Sequence, residues 1–186
     1  MKTLVIVTHP NIESSVIHKR WAKELMLHPA KYTVHELHQA YPDGNLDVER
    51  EQMLVESHGN LVLQFPIYWF SCPPLVKKWL DEVLTYGWAY GSNGDKMRNR
   101  KVALGVSTGV KKEDYSEVGK YLPLTQILVP FQLTFEKYCK ADYRSFFAFY
   151  GTESEPGELL PGIQNETSEN AVDKSAIEYL SFLDKL

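Results

Sequence analysis

Three stretches of this sequence hold side chains with chemistry to offer. THPNIESSVI (8–17) puts Ser14 and Ser15 just ahead of a helical pattern. There the unbonded N–H groups of a first helical turn and the helix dipole attract an anion such as a phosphate. A serine at that place also serves as a plain N-cap. FPIYWFSCPP (65–74) sets Phe65, Tyr68, Trp69 and Phe70 around one proline and closes on two more. So much aromatic surface suits a core plug, a subunit contact or the face of a flat conjugated ligand. STGVKKEDY (107–115) offers Thr108, Gly109 and Tyr115, the makings of a turn or of a polar edge to a ligand site. Neither G-x-G-x-x-G nor G-x-x-x-x-G-K-[ST] occurs, so the Rossmann and P-loop fingerprints are absent. His28, His35, His38 and His58 make no coherent metal-ligand set, and we expect them on the surface.

The bulk composition narrows the classes of function. At 186 residues, 44% hydrophobic and 24% charged, the chain suits a single domain over residues 1–186 with a full core. A net charge of -4 gives no basic footprint for nucleic acid or for an anionic membrane. The two cysteines, Cys72 and Cys139, imply no disulfide framework and are expected to be inert. The opening MKTLVIVTHP has a short apolar run with no cleavage site or stop-transfer stretch after it, so the expected location is the cytoplasm.

Elements of alternating type must position the three stretches. TLVIV (3–7) is a continuous β-branched run, expected of a strand buried on both faces. Ile17, Trp21 and Leu25 recur at helical spacing, YTVHEL (32–37) reads as a second strand, and a polar helix starts near Asp47. NLVLQF (60–65) is the third strand, stopped by Pro66. A helix beginning near Ser71 then carries Leu75, Val76, Trp79, Leu80, Val83 and Leu84. Its apolar arc is wider than one sheet contact needs, which predicts a homodimer. KVALGVS (101–107) and SFFAFY (145–150) complete five strands. Residues 151–170 are a Gly/Pro/Glu-rich connector with the composition of a flap, and a last helix presents Val172, Ala176 and Leu183. The order predicts an α/β fold: a flavodoxin-like, doubly wound, five-stranded parallel sheet of order 2-1-3-4-5 with helices on both faces. Its ligand crevice lies beyond the carboxyl ends of strands 1 and 3, where all three stretches emerge.

HPNIESSVIHK, FPIYWFSCPPLVKKWLDEVL, YGWAYG (86–91) and STGVKKEDY together resemble the flavodoxin-like NAD(P)H:quinone oxidoreductases, over nearly the whole chain. That family includes DT-diaphorase and the bacterial drug-activity-modulator and potassium-efflux ancillary proteins. The resemblance implies a homodimeric flavoprotein that takes hydride from NADPH or NADH and passes it to a quinone or similar acceptor in a ping-pong cycle. It implies that His9, Ser15, Val16 and Ile17 hold the phosphate end of the flavin. It also implies that Pro66, Ile67, Tyr68, Trp69 and Phe70 line its ring, and that Thr108 and Gly109 meet its pyrimidine edge. Tyr115 would donate near N1 and O2, and Tyr121 stands where the family has a histidine that shares this catalytic role. Val110 replaces a family glycine, and His18 an asparagine. The short C-terminus favours FMN, with FAD possible, and YGWAYG would reach the partner subunit's site. Two other readings belong to the same fold: a flavin-binding ancillary subunit associated peripherally with a potassium efflux transporter, and a flavodoxin-type electron carrier.

Overall fold

A computed structural model describes residues 2–152 and 169–186. Five strands, β1 (Thr3–Val7), β2 (Tyr32–Glu36), β3 (Asn60–Pro66), β4 (Lys101–Ser107) and β5 (Asp142–Phe149), form one parallel sheet in the order β2-β1-β3-β4-β5. This is the expected doubly wound order, with the winding reversing between β1 and β3. β5 begins three residues earlier than its apolar run suggests and carries a register irregularity at Val102/Ala103 of its partner. Most of the connector at 151–170, residues 153–168, lies outside the described residues.

β1 has no polar face because both of its faces are covered. Val5 and Val7 point into one core with Ile17, Trp21 and Leu25 of α1 (Val16–Met26). Leu4 and Ile6 point into the other, with Leu61, Leu63, Phe65 and Trp79. Each such aliphatic side chain contributes about 1.5–3 kcal/mol on burial. On the first face the C-terminal helix (Glu169–Leu183) packs across α1. The Trp21 and Tyr179 rings lie 4.5 Å apart, Trp21 Nε1 donates to Ser175 Oγ at 3.0 Å, and Arg20 pairs with Asp173 at 2.6 Å. Gly105 of β4 makes room for this helix, since a Cβ there would meet the Tyr179 hydroxyl at 2.5 Å.

The second face is covered by the short α2 (Leu37–Ala40), α3 (Val48–Glu56), α4 (Pro74–Val83) and, beyond β4, α5 (Leu124–Ile127) and α6 (Val129–Gln132). α6 runs on into a π-helical segment, Leu133–Tyr138. α4 starts at Pro74, with Pro73 as its N-cap, rather than near Ser71. Ser71 belongs instead to a tight turn that the prolines then leave. The wide apolar arc of α4 is spent within the chain, since Leu75, Val76, Trp79, Val83 and Leu84 are buried and Leu80 packs partly against the same core. That arc therefore does not supply a dimer face.

Two of the histidines expected on the surface are structural. His58 is buried, with Nε2 2.7 Å from Thr33 Oγ1. His35 Nε2 lies 2.8 Å from Oε1 of Glu51, a carboxylate that is fully buried. Tyr41 Oη and Trp79 Nε1 also donate to Glu51, each at 2.8 Å. Burial alone would raise the Glu51 carboxyl, but the His35 bond and charge, with the two neutral donors, hold it below the usual carboxylate range. Glu51→Gln leaves these donors facing an amide nitrogen and should cost about 3 kcal/mol in urea unfolding. A loss below 0.5 kcal/mol, on the scale of an ordinary surface change, would show that the network is not stabilising.

Candidate functional site

The last rung of the sheet sets the site. Pro66 pairs with Ser107 at the end of β3, and the Ile67 amide donates to Ser107 O at 2.7 Å. Successive residues of a parallel strand address opposite neighbours, so the missing N–H of Pro66 faces the side where β1 has already ended. A proline costs no ladder bond there. The chain then reverses: Tyr68 and Ser71 exchange backbone hydrogen bonds of 3.2 and 2.9 Å around Trp69 (φ 49°) and Phe70 (φ 58°). Two left-handed residues in succession are the mark of a type I′ turn, which normally prefers Asn-Gly. Placing two aromatic residues there costs about 1–2 kcal/mol each. The turn holds the Trp69 ring 95% exposed, and the Trp69 and Phe70 amides donate to no backbone carbonyl of the described residues.

The loop after β4 forms the facing wall. Thr108 is clamped at both backbone groups, its N–H donating to Phe149 O at 2.9 Å and its C=O accepting from Thr152 N at 3.1 Å. Its Oγ1 lies 2.9 Å from Tyr115 Oη. Tyr121 reaches the same place because its amide donates to Asp114 O at 2.8 Å. Its ring stands 4.9 Å from Phe70 and 6.1 Å from Tyr115. Ile67, Tyr68, Trp69, Phe70, Thr108, Gly109, Val110, Tyr115 and Tyr121 line one cavity of about 450 Å³. Pro66 lies buried behind this wall.

The loop after β1 sits alongside. Ser15 caps α1, its Oγ accepting from the His18 amide at 3.1 Å. The Val16 and Ile17 amides, at the first two helical positions, have no intrahelical acceptor. A groove of about 270 Å³ runs over Ser14, Ser15 and Val16 towards Lys19, Arg20 and Lys23. His9 accepts from the Asn11 amide through Nδ1, and its ring lies 5.6 Å from that of His18.

The expected residues fall in two places at the carboxyl edge of the sheet: Ser15 and Val16 line the groove over the start of α1, with His9 and Ile17 next to them in the chain, and 67–70, Thr108, Gly109, Tyr115 and Tyr121 line the aromatic cavity. Two further residues stand close by, of which the sequence marked His18 only as a departure from the family's asparagine. His18 is fully buried and shares a 2.8 Å hydrogen bond with Ser107 Oγ, while its carbonyl accepts from Gln64 Nε2 at 3.1 Å. Burial, aided by the nearby His9, pushes its imidazole down to about 3. Tyr150, whose ring is 6.0 Å from Tyr115, was findable as the first residue past β5 at the same sheet edge. Burial raises its phenol, as it raises the thiols of Cys72 and Cys139, the latter to about 11. Both cysteines are thus held as thiols, as expected. Among the described residues no group of three His, Cys, Asp or Glu side chains could hold a metal ion.

A family model described as a flavodoxin-like fold matches residues 1–169. The chain belongs to this family. It is 48% identical to general stress protein 14 of Treponema denticola, whose crystal structure is a complex with FMN; the two superpose with a TM-score of 0.89 over 100% of this chain and 99% of the other. The Bacillus subtilis uncharacterized NAD(P)H oxidoreductase YrkL is 44% identical over 153 residues, 82% of this chain and 87% of the relative. KefG of Erwinia tasmaniensis, a glutathione-regulated potassium-efflux system ancillary protein, is 32% identical over 86% of each chain. Within this family fold, the arrangement suits a flat ring system with a phosphate tail. Among the described residues the Trp69 and Phe70 amides donate to no backbone carbonyl, and the Val16 and Ile17 amides open the first turn of α1.

The buried neutral His18 makes a pH prediction. Its folded pKa lies below its unfolded one, so between the two the unfolded chain binds more protons and stability falls as the pH drops. From pH 6 to pH 4 the wild-type protein should lose stability about 1.4 kcal/mol per pH unit more steeply than His18→Asn. Parallel curves from urea titrations at each pH would show that His18 is not held neutral by the fold.

Proposed function

We propose that this chain is a flavin-dependent NAD(P)H:quinone oxidoreductase with FMN as its cofactor. The observation that supports this reading is a pair of hollows beyond the carboxyl ends of the strands, one over the first turn of α1 at Ser15 and Val16 and one lined by the aromatic turn and Thr108, with the Trp69 and Phe70 amides making no hydrogen bond to a backbone carbonyl of the described residues. The FMN complex of the Treponema denticola relative and the oxidoreductase name of the Bacillus subtilis relative support it.

In this reading the first turn of α1 takes the phosphate, with the helix dipole and the Ser15 cap orienting its amides. His9 stands beside that turn. The Trp69 and Phe70 amides donate to acceptor atoms on one edge of the ring, and the backbone strain of the turn keeps them aimed before any ligand arrives. Thr108, Gly109 and Tyr115 meet the opposite, pyrimidine edge. When bound, FMN would supply the hydride chemistry between a nicotinamide and a quinone. The residues of this chain supply position and exclusion of water. One open side of the cavity, walled by Tyr68, Trp69 and Tyr121, takes the nicotinamide and the quinone in turn and sets each at reacting distance. Trp69 on the cavity is 95% exposed, Val118 and Leu122 on either side of Tyr121 in the chain are 97% and 62% exposed, and a homodimer would cover such surface. No helix among the described residues is long and apolar enough to cross a membrane. A cytoplasmic location accords with that, and FAD remains the alternative cofactor.

The KefG relative favours a second reading, an ancillary subunit at a potassium efflux transporter, which the same flavin site would serve. Pull-down with such a transporter distinguishes it from the oxidoreductase acting alone.

The purified protein should be yellow or bind added FMN with quenched fluorescence, and should oxidise NADPH or NADH only with a quinone present. Ser15→Glu places a carboxylate against the phosphate while leaving the helix start tolerable. FMN affinity should fall at least tenfold with an unchanged circular dichroism spectrum. A colourless protein that binds neither FMN nor FAD contradicts the proposal.

A further inference from the structure

Among the described residues, Lys120 is a cation beside the aromatic cavity that no carboxylate neutralises. Its ammonium lies over the Tyr121 ring, 5.5 Å from the ring centre, and that ring is part of the cavity wall. Lysines elsewhere on the surface sit against acids, as Lys31 does at 3.0 Å from Asp184 and Lys77 at 2.5 Å from Asp81. Lys120 makes no such pair, although Glu113, Asp114 and Glu117 belong to the same loop. The backbone on either side of it is pinned. The Gly119 amide donates to Ser116 O at 3.1 Å, and the Tyr121 amide donates to Asp114 O at 2.8 Å. A Cβ at Gly119 would meet the Glu113 and Asp114 carbonyl oxygens at 2.6 Å, so only glycine lets the chain pass this close before Lys120. An ammonium resting on an aromatic face keeps its charge while the ring limits where it goes. The charge is therefore held at the rim of the space in which a substrate would stack.

We propose that Lys120 is a specificity-determining residue that selects substrates carrying an anionic group, by pairing with that group while the flat part of the molecule lies in the cavity. The inference rests on the oxidoreductase reading above. The chemistry it recognises is a negative charge on a molecule with a flat ring, and two molecules in that reading bring it: a quinone bearing a carboxylate or sulfonate, and a nicotinamide dinucleotide with its phosphates. The pair would be exposed to solvent, so its contribution fades with salt. A purely steric role for the same side chain would act on charged and neutral ligands alike.

Equilibrium dialysis against the oxidised, FMN-loaded protein tests this without turnover, in the wild type, Lys120→Gln and Lys120→Arg. The probes are a naphthoquinone sulfonate, the neutral naphthoquinone menadione, and NADP+. At low ionic strength Lys120→Gln should bind the sulfonate, NADP+ or both about threefold to tenfold more weakly than the wild type, and should bind menadione equally well. Lys120→Arg should keep the wild-type preference. At about 1 M salt, where the screening length is about 3 Å, the difference between the wild type and Lys120→Gln should vanish. A loss confined to the sulfonate identifies the acceptor as the source of the charge, and a loss confined to NADP+ identifies the dinucleotide. Equal affinities of the wild type and Lys120→Gln for both anions, or a loss of the same size for menadione, overturns the inference and leaves the oxidoreductase reading standing. Wild-type protein that holds FMN yet binds none of the three probes and reduces no quinone overturns that reading first and this inference with it.

Discussion

The hydrogen bond from the Ile67 amide to the Ser107 carbonyl is the point on which the site depends. It is the last rung between β3 and β4, and the residues immediately beyond it on either strand are the aromatic turn and Thr108. Both walls of the cavity therefore start from one hydrogen-bonded pair at the ends of β3 and β4. The reversal of strand order between β1 and β3 then leaves a gap into which the first turn of α1 projects its amides. Topology thus supplies the crevice, and the final rung fixes its width.

Strain is spent at the same place. Trp69 and Phe70 occupy backbone conformations that suit glycine or asparagine, the Trp69 ring almost wholly exposed and Phe70 partly covered by Tyr121. Neither burial nor propensity accounts for keeping two aromatic residues there. A ring-binding surface with preset amides does, because the energy stored in the turn is repaid when a ligand covers the rings and occupies the N–H groups. The buried polar groups His18, Ser107 and Gln64 tie α1 to β4 and β3 close to the same sheet edge.

Much of this was legible in the sequence, for physical reasons that differ by element. The unbroken run Thr3–Val7 could only be a strand covered on both sides, and the spacing of Ile17, Trp21 and Leu25 could only be one helical stripe. Strand order followed from alternation of strands and helices. Pro66, Pro73 and Pro74 marked where the chain leaves the sheet, though not that a four-residue turn intervenes before α4; no propensity scale puts Trp-Phe in a left-handed pair. The reach of α4's apolar arc was misjudged because α3 and Met97 bury what a sheet alone would leave uncovered. His35 and His58 were placed on the surface because a partner such as Glu51 or Thr33, distant in sequence, cannot be seen from local pattern. The pairing of Tyr115 with Thr108, only seven residues apart, was hidden because no local pattern says how that loop folds back on itself.

The central claim is that the two sets of unbonded amides and the cavity between them form a single flavin site. Amide chemical-shift mapping of the protein stripped of flavin, titrated with FMN, tests it most directly. The account predicts the largest shifts at Val16, Ile17, Trp69, Phe70 and Gly109, saturating together at one equivalent of FMN. Shifts concentrated elsewhere, for instance around Thr125, Gln132 and Arg144 at the β5 edge, or separate saturation at the two ends of the crevice, would contradict it.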